Sequence, residues 1–202
     1  MALTIYGVAL NDRRERERLA DAFRQPPYRA PPEAPVLYLK PAGCRAASGA
    51  AVELPPDPGV AHASPTLAVL FPGPPGEVGG LALALDVSLP LADVHRPAVM
   101  RQGRDGFLPL GPFQPWREGA ALPAVSATRN GAAADGWSPG RMVRDLPGLC
   151  ADIGAFMSLA DGDILLLGAQ LEPVEVAPGD RVRLEAPGHP PLEARFVAEA
   201  AA

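Results

Sequence analysis

Proline is the feature of this sequence that most restricts its fold. The chain has 26 prolines and 21 glycines among its 202 residues, so proline makes up about 13% of it against a usual share of about 5%. Proline interrupts helices and cannot donate a hydrogen bond inside a sheet, while glycine favours turns. We therefore predict a single α+β, mainly β, domain over residues 1–202, in which many short strands are joined by turns.

Composition excludes several classes of protein. Apolar residues make up 48% of the chain and charged residues 20%, which is typical of a folded protein rather than a disordered one. The net charge of −5 disfavours nucleic acid or an anionic membrane as the partner. No apolar run approaches the roughly 20 residues of a membrane helix, and no basic residue precedes the apolar residues 1–10 to make a signal peptide. We expect a cytoplasmic protein.

Short apolar segments bounded by proline or glycine predict the strands. They lie at residues 3–10, 36–39, 51–54, 66–71, 81–85, 122–128, 163–168, 181–186 and 192–197. Asn130-Gly131 predicts a hairpin turn. The charged run 12–23 predicts one short helix with a solvated face. Ser138-Pro139 resembles a helix start, and apolar residues at helical spacing up to Met157 predict one long helix that Pro147 kinks or restarts.

Residue types alone identify no catalytic centre. The three histidines, His62, His95 and His189, are scattered, so we expect them to be surface or structural residues. The two cysteines, Cys44 and Cys150, have no partner at metal-ligand spacing. A nucleophile elbow, a phosphate loop and a dinucleotide fingerprint are all absent from the sequence.

Six motifs follow one another along the chain: Val8-Ala9-Leu10-Asn11, Leu39-Lys40-Pro41, Leu67-Ala68-Val69, Leu85-Asp86-Val87-Ser88, Arg104-Asp105-Gly106-Phe107 with Pro109-Leu110-Gly111-Pro112, and Gly162-Asp163-Ile164 with Pro178-Gly179-Asp180-Arg181-Val182. In this order they resemble the fumarylacetoacetate hydrolase family. The resemblance implies that family's rolled mixed β-sheet with a few helices, and a lid segment within residues 11–35.

Three stretches are similar to one branch of that family, the isomerase/decarboxylases of 4-hydroxyphenylacetate (homoprotocatechuate) degradation. They are residues 25–32, 86–90 and 96–98, and they resemble the N-terminal one of that enzyme's two related halves. The resemblance implies decarboxylation of 5-oxopent-3-ene-1,2,5-tricarboxylate and isomerisation of 2-hydroxyhepta-2,4-diene-1,7-dioate, which are small 2-oxo or 2-hydroxy-dienoate substrates. It also implies a homologous second-half subunit as partner, in a dimer or higher oligomer.

The family binds Mg²⁺ or Mn²⁺ through two glutamates spaced Glu-x-Glu and one later aspartate. The resemblance places these positions on Ser64, Thr66 and Asp86, of which only Asp86 is acidic. A single carboxylate is a poor ligand set for a hard, strongly hydrated cation, and we expect Pro65 to distort the strand that carries the first two. The sequence therefore predicts no metal in this chain and Mg²⁺ (or Mn²⁺) in the partner subunit.

The resemblance also implies three substrate-binding residues: Lys40, Asp86 and Asp105. From the residues alone, Lys40 could equally be a solvated lysine at a strand end and Asp86 a residue that caps a turn. The other functional positions of the family have changed, so the catalytic residues stay unknown. Its lid acid and base fall on Glu15 and Arg18, one lysine falls on Gln102, and a Gly-Thr-Pro motif falls on Gly168-Ala169-Gln170.

Three hypotheses for function follow. The first is a subunit that contributes to isomerase/decarboxylase turnover, and the second is a catalytically silent structural partner of a metal-bearing homologous subunit. The third hypothesis is a metal-independent enzyme, which the hydroxyl residues Ser64 and Thr66 disfavour. The same residues fit the first two hypotheses equally well.

Overall fold

A computed structural model describes residues 3–26, 29–73, 77–90, 98–117, 119–169 and 173–200. Within these ranges the strands are β1 (Ile5–Ala9), β2 (Val36–Lys40), β3 (Arg45–Ala47), β4 (Ala51–Leu54), β5 (Ala61–Leu70), β6 (Gly80–Ser88), β7 (Leu108–Leu110), β8 (Gln114–Pro115), β9 (Val125–Arg129), β10 (Ala132–Trp137), β11 (Ile164–Leu166), β12 (Val174–Val176), β13 (Arg181–Glu185) and β14 (Leu192–Ala198). The α-helices are α1 (Arg13–Arg18), α2 (Ala98–Gln102) and α3 (Leu146–Gly154). The predicted mainly β class is confirmed.

The larger sheet is mixed and strongly curled. Its strand order is β2-β1-β11-β5-β6-β7-β3, with β12 paired to β5 and β8 to β6; β1 runs parallel to β11, and β3 to β7. Strands β2 and β6 are four places apart, which is about 19 Å in a flat sheet. Lys40 on β2 nevertheless lies 2.9 Å from Asp86 on β6, so the sheet closes into the predicted roll.

The inner face of the roll carries both small and large buried side chains. Successive residues of a strand face opposite sides of the sheet. Ala68 of β5 and Ala82 and Ala84 of β6 face inward, where they pack with other buried residues that include Ile5, Cys44, Leu108, Ile164 and Leu166. The alternate, bulkier residues of β6 face outward and belong to the main core.

The smaller sheet covers the outer face of the roll. Its order is β10-β9-β13-β14-β4, and in β13 and β14 buried and exposed residues alternate. The buried side, which includes Leu184 and Phe196, joins the outward-facing residues of the roll and α3 in one core. The two β5–β6 faces therefore differ: the outer face belongs to the main core, and the inner face packs in a smaller cluster and also carries buried polar side chains.

The hairpin prediction is confirmed. Asn130 and Gly131 join β9 to β10 with φ angles of 52° and 82°. Two successive positive φ angles are the requirement of the tight hairpin turn that Asn-Gly favours.

The expected distortion at Pro65 is wrong. Strand β5 pairs with β6 in one unbroken register from His62 to Leu70. On its other edge, β12 pairs with residues 61–63 and β11 with residues 68–70. Pro65 lies between these two stretches, where no strand of the described part of the chain pairs with that edge. Its missing N–H therefore need not break a ladder hydrogen bond.

The predicted helix up to Met157 is not continuous, but its predicted restart at Pro147 is confirmed. Pro139–Arg141 forms a 3₁₀ turn, and Met142 after it is extended. Helix α3 begins afresh after Asp145, whose carboxylate accepts the Gly148 N–H, and Pro147 is tolerated in the first turn, where no helical N–H bond is needed.

The charged run 12–23 gives only the short helix α1. It ends at Arg18 and is followed by a 3₁₀ turn at Ala22–Arg24. In the described ranges, no helix has the length and apolar character needed to cross a membrane.

Asp180, in the turn before β13, gives a pH-dependent prediction. Its carboxylate accepts the Ala177 N–H, the Asn130 amide and the Arg129 guanidinium. Burial alone raises the pKa of Asp180, but these hydrogen bonds outweigh burial and bring the pKa below its ordinary value of 3.8. A lowered folded-state pKa stabilises the fold above the unfolded-state pKa, and this contribution is lost as the pH falls through the folded-state pKa.

We therefore expect Asp180→Asn to be less stable than the native chain near neutral pH. The difference in the free energy of unfolding between the two proteins should narrow as the pH falls from about 5 to about 2, because only the native chain titrates at this position. Urea unfolding at several pH values measures this difference. A difference in stability that stays constant over that pH range would contradict the lowered pKa of Asp180.

Candidate functional site

The three positions predicted from the family's metal ligands share the inner face of the roll. Strands β5 and β6 pair so that Ser64 lies opposite Asp86 and Thr66 opposite Ala84. Directly opposed residues of an antiparallel pair point to the same side, and Ser64 and Thr66 are two residues apart. All three side chains are buried.

Lys40 neutralises Asp86. Its ammonium nitrogen lies 2.9 Å from Asp86 Oδ1, and it also donates to the backbone carbonyls of Val87, Gln102 and Phe107 at 2.9, 2.9 and 3.0 Å. An ammonium group has three N–H donors, so these four acceptors use all of them. The Lys40 side chain has 0% exposure and that of Asp86 has 8%.

Tyr38 binds the other oxygen of the same carboxylate. Its hydroxyl donates to Asp86 Oδ2. Burial first, then the charge of Asp86 and their hydrogen bond, raise the pKa of Tyr38 well above its ordinary value, and the charge of Glu15 adds to this. The phenol therefore stays protonated and remains a donor. Tyr38, Asp86 and Lys40 form a closed group with no net charge, which we call the Asp86 triad.

Sequence reasoning missed Tyr38 as a site residue. A signal for it exists, because Tyr38 lies two residues before Lys40 on a strand, and such residues share a face. Gly7 is a second signal for Tyr38, because a glycine opposite a tyrosine leaves room for the ring. It is the partner of Tyr38 across β1 and β2, and a Cβ atom there would lie only 2.0 Å from Tyr38 Cζ. The tyrosine ring thus packs directly on the Gly7 backbone.

The residues of this site do not fit a divalent cation. Mg²⁺ and Mn²⁺ favour several anionic or carbonyl oxygens with free lone pairs. Ser64 and Thr66 offer neutral hydroxyls, and both oxygens of Asp86 already face proton donors. Among the described residues, no group of three histidine, cysteine, aspartate or glutamate side chains is placed to hold a metal ion. That the cation belongs to a partner subunit stays a prediction.

The other predicted substrate-binding residue, Asp105, is not among the hydrogen-bond partners of the triad given above. Asp105 is exposed in the turn before β7, beside the 42–44 turn: its Oδ1 would be 3.6 Å from a Cβ atom on Gly43. Of Lys40, Asp86 and Asp105, only Asp105 has an exposed side chain. Their role in substrate binding stays a prediction.

The two positions that the resemblance assigns to a lid differ in their surroundings. Glu15 is half-buried, and burial followed by the charge of Asp12 raises the pKa of Glu15, although a hydrogen bond from the Leu10 backbone lowers it in part. Arg18 is exposed at the end of α1. Gln102 takes part through its backbone, as an acceptor for Lys40. Gly168 and Ala169 follow β11, and Gln170 lies outside the described residues.

The histidines and cysteines differ in their relation to the triad. The Cys44 thiol donates to the Gln102 carbonyl at 3.6 Å, and that carbonyl also accepts from Lys40. His62 is partly buried on β5, and burial lowers its pKa, with Glu175 opposing. His189 is partly buried in the turn before β14, and His95 lies outside the described residues. Cys44 is packed inside the roll, and burial raises the pKa of its thiol.

Comparison with known proteins identifies the family. The profile described as "Fumarylacetoacetate (FAA) hydrolase C-terminal" matches residues 4–197, which is nearly the whole chain. The chain belongs to the fumarylacetoacetate hydrolase family. One relative, the 4-hydroxyphenylacetate degradation bifunctional isomerase/decarboxylase of Escherichia coli, is 36% identical over 97% of this chain. The match covers only 47% of that relative, so the chain spans about half the length of the curated protein it matches.

Solved structures of family proteins share the fold. The 5-carboxymethyl-2-hydroxymuconate delta-isomerase of Mycobacterium smegmatis has a TM-score of 0.80 and 23% identity, with 99% of this chain and 80% of that chain covered. The fumarylpyruvate hydrolase of Pseudomonas aeruginosa, solved in complex with Mn²⁺ and pyruvate, has a TM-score of 0.78 and 21% identity, with 97% and 90% covered. The predicted family and its rolled mixed sheet are both confirmed.

Proposed function

We propose that this chain is the metal-less half of an isomerase/decarboxylase of 4-hydroxyphenylacetate degradation. In this proposal it pairs in the cytoplasm with a homologous second-half subunit, which binds Mg²⁺ or Mn²⁺. The single observation that carries the proposal is the extent of the match: 97% of this chain aligns, but with only 47% of the bifunctional relative. The part of the relative outside the match is long enough for a second domain of this size.

The chemistry of the Asp86 triad supports the proposal that the partner half, and not this chain, supplies the divalent cation. Decarboxylation of 5-oxopent-3-ene-1,2,5-tricarboxylate and isomerisation of 2-hydroxyhepta-2,4-diene-1,7-dioate both place negative charge on a substrate oxygen. A divalent cation stabilises such charge as a Lewis acid. Here the positive charge of Lys40 is already used by Asp86 and three carbonyls. This half then supplies the fold and the interface, and Asp105 is the predicted substrate contact with an exposed side chain.

The closed triad also favours a second candidate function, the catalytically silent structural partner. Every N–H of Lys40 and both oxygens of Asp86 are engaged within the chain. Such a subunit would stabilise the metal-bearing subunit by burying one of its faces. It would leave the turnover number of that subunit unchanged.

Reconstitution tests both functions. The partner to use is the family member of the same genome that has glutamates at the positions of Ser64 and Thr66. We expect no turnover of either substrate by this chain alone, and a rise of about tenfold in the partner's kcat on mixing, equal to about 1.4 kcal/mol of activation free energy. A higher Tm with unchanged kcat would instead identify the silent partner. A partner whose kcat and Tm are both unaffected would contradict both functions.

A further inference from the structure

The Asp86 carboxylate is closed on both sides. Lys40 lies 2.9 Å from Oδ1, and the Tyr38 hydroxyl donates to Oδ2. A carboxylate paired with lysine through one oxygen can still offer its second oxygen to a cation. A hydroxyl that donates its proton to that second oxygen takes one of its lone pairs and competes with a cation for the same oxygen.

Tyr38 is held in this position by the packing of the sheet. Its ring lies on Gly7, the cross-strand partner, where a Cβ atom would be 2.0 Å from Cζ. Any larger residue at position 7 would displace the ring or separate β1 from β2. The residue pair Gly7 and Tyr38 therefore directs the hydroxyl across the roll to Asp86 on β6, a strand with which β2 does not pair.

We propose that the Tyr38 hydroxyl closes the Asp86 site to divalent cations, in addition to the loss of carboxylates at positions 64 and 66. Lys40 does not explain the closure by itself, because its 2.9 Å contact is with Oδ1, whereas the Tyr38 hydroxyl donates to Oδ2. Restoring glutamates at positions 64 and 66 is then insufficient for tight binding while Tyr38 still donates to Oδ2. This inference concerns the same site as the proposed function and rests on its metal-less assignment, but its test needs no partner subunit.

The test compares the variant Ser64→Glu/Thr66→Glu with the same variant that also contains Tyr38→Phe. Mn²⁺ is the probe, and its binding is followed by calorimetry and by the electron paramagnetic resonance signal of free Mn²⁺. We expect the triple variant to bind Mn²⁺ at least about tenfold more tightly than the double variant. Tyr38→Phe alone should bind no Mn²⁺, because it still has one carboxylate at the site. Equal affinities of the double and triple variants, or tighter binding by the double variant, would overturn the inference.

A second pair of variants guards against loss of folding. Two glutamates beside Asp86 add buried negative charge, so the folded state of each protein is checked by circular dichroism. If the glutamate pair does not fold, Ser64→Glu alone, with and without Tyr38→Phe, places two carboxylates directly opposite each other. The same ordering of Mn²⁺ affinities is expected, and equal affinities there would also overturn the inference.

The results separate this inference from the proposed function. Equal Mn²⁺ affinities of the variants would show that Tyr38 does not close the site. They would not affect the proposal that the native chain binds no metal, because that proposal concerns the native residues. Saturable Mn²⁺ binding at this site by the native chain would contradict both the closure by Tyr38 and the proposal that this half binds no metal.

Discussion

Replacing Lys40 with methionine is expected to lower the free energy of unfolding by about 3–5 kcal/mol. Methionine keeps most of the side-chain volume but removes the charge. Asp86, with 8% side-chain exposure, would then be a buried carboxylate without its cation, and three backbone carbonyls would lose their donor. Urea unfolding of the native chain and of Lys40→Met measures the difference.

An exposed ion pair provides the matched control. Arg24 and Asp21 form a bridge whose side chains are 74% and 95% exposed, so Arg24→Ala should leave stability unchanged within error. The double variant Lys40→Met/Asp86→Asn should lose less than the sum of its single variants, because the removed groups stabilise each other. A Lys40→Met protein as stable as Arg24→Ala would show that the triad does not stabilise the fold.

Replacing Gly7 with alanine is expected to destabilise the chain by about 3 kcal/mol, the upper part of the range for overpacked sites. The new methyl group would lie 2.0 Å from Tyr38 Cζ and 2.4 Å from its hydroxyl oxygen. Either the ring moves away from Asp86, or strands β1 and β2 separate. Thermal and urea unfolding measure the loss.

Gly154 is the control for the glycine substitution. It is exposed at the end of α3, and a Cβ atom there would meet no atom within 4 Å. Gly154→Ala should be neutral or stabilising by up to about 1 kcal/mol, since alanine favours helix over glycine. In a Tyr38→Ala background, Gly7→Ala should have little further effect, because the ring is gone. The same loss in both backgrounds would contradict the packing of Tyr38 on Gly7.

The sequence predicts best those turns and strands that depend on interactions between neighbouring residues. The Asn130-Gly131 turn follows from the backbone freedom of these two residues. The strand predicted at residues 66–71 is real but begins at Ala61, because the edge left unpaired by β11 and β12 tolerates Pro65. The helix predicted up to Met157 forms only from Leu146 to Gly154, because apolar spacing across a 3₁₀ turn and a separate helix imitates one continuous periodicity.

The candidate site was predictable only in part. The family resemblance indicated Ser64, Thr66 and Asp86, and strand alternation explains why they share one face of β5 and β6. The contact between Tyr38 and Asp86 joins strands four places apart in the sheet. Only the curl of the roll brings these strands together. No local pattern around Tyr38 contains this information.

The central claim is that Asp86 of the native chain does not hold a divalent cation, and a direct metal titration tests it best. The purified chain, dialysed against chelator and then freed of it, is titrated with Mg²⁺ and with Mn²⁺ by calorimetry, and its Tm is measured at each concentration. The account predicts no saturable heat and no rise in Tm. One-site binding with a Tm that rises with metal concentration, as expected for a ligand of the folded state, and that is abolished by Asp86→Asn, would contradict it.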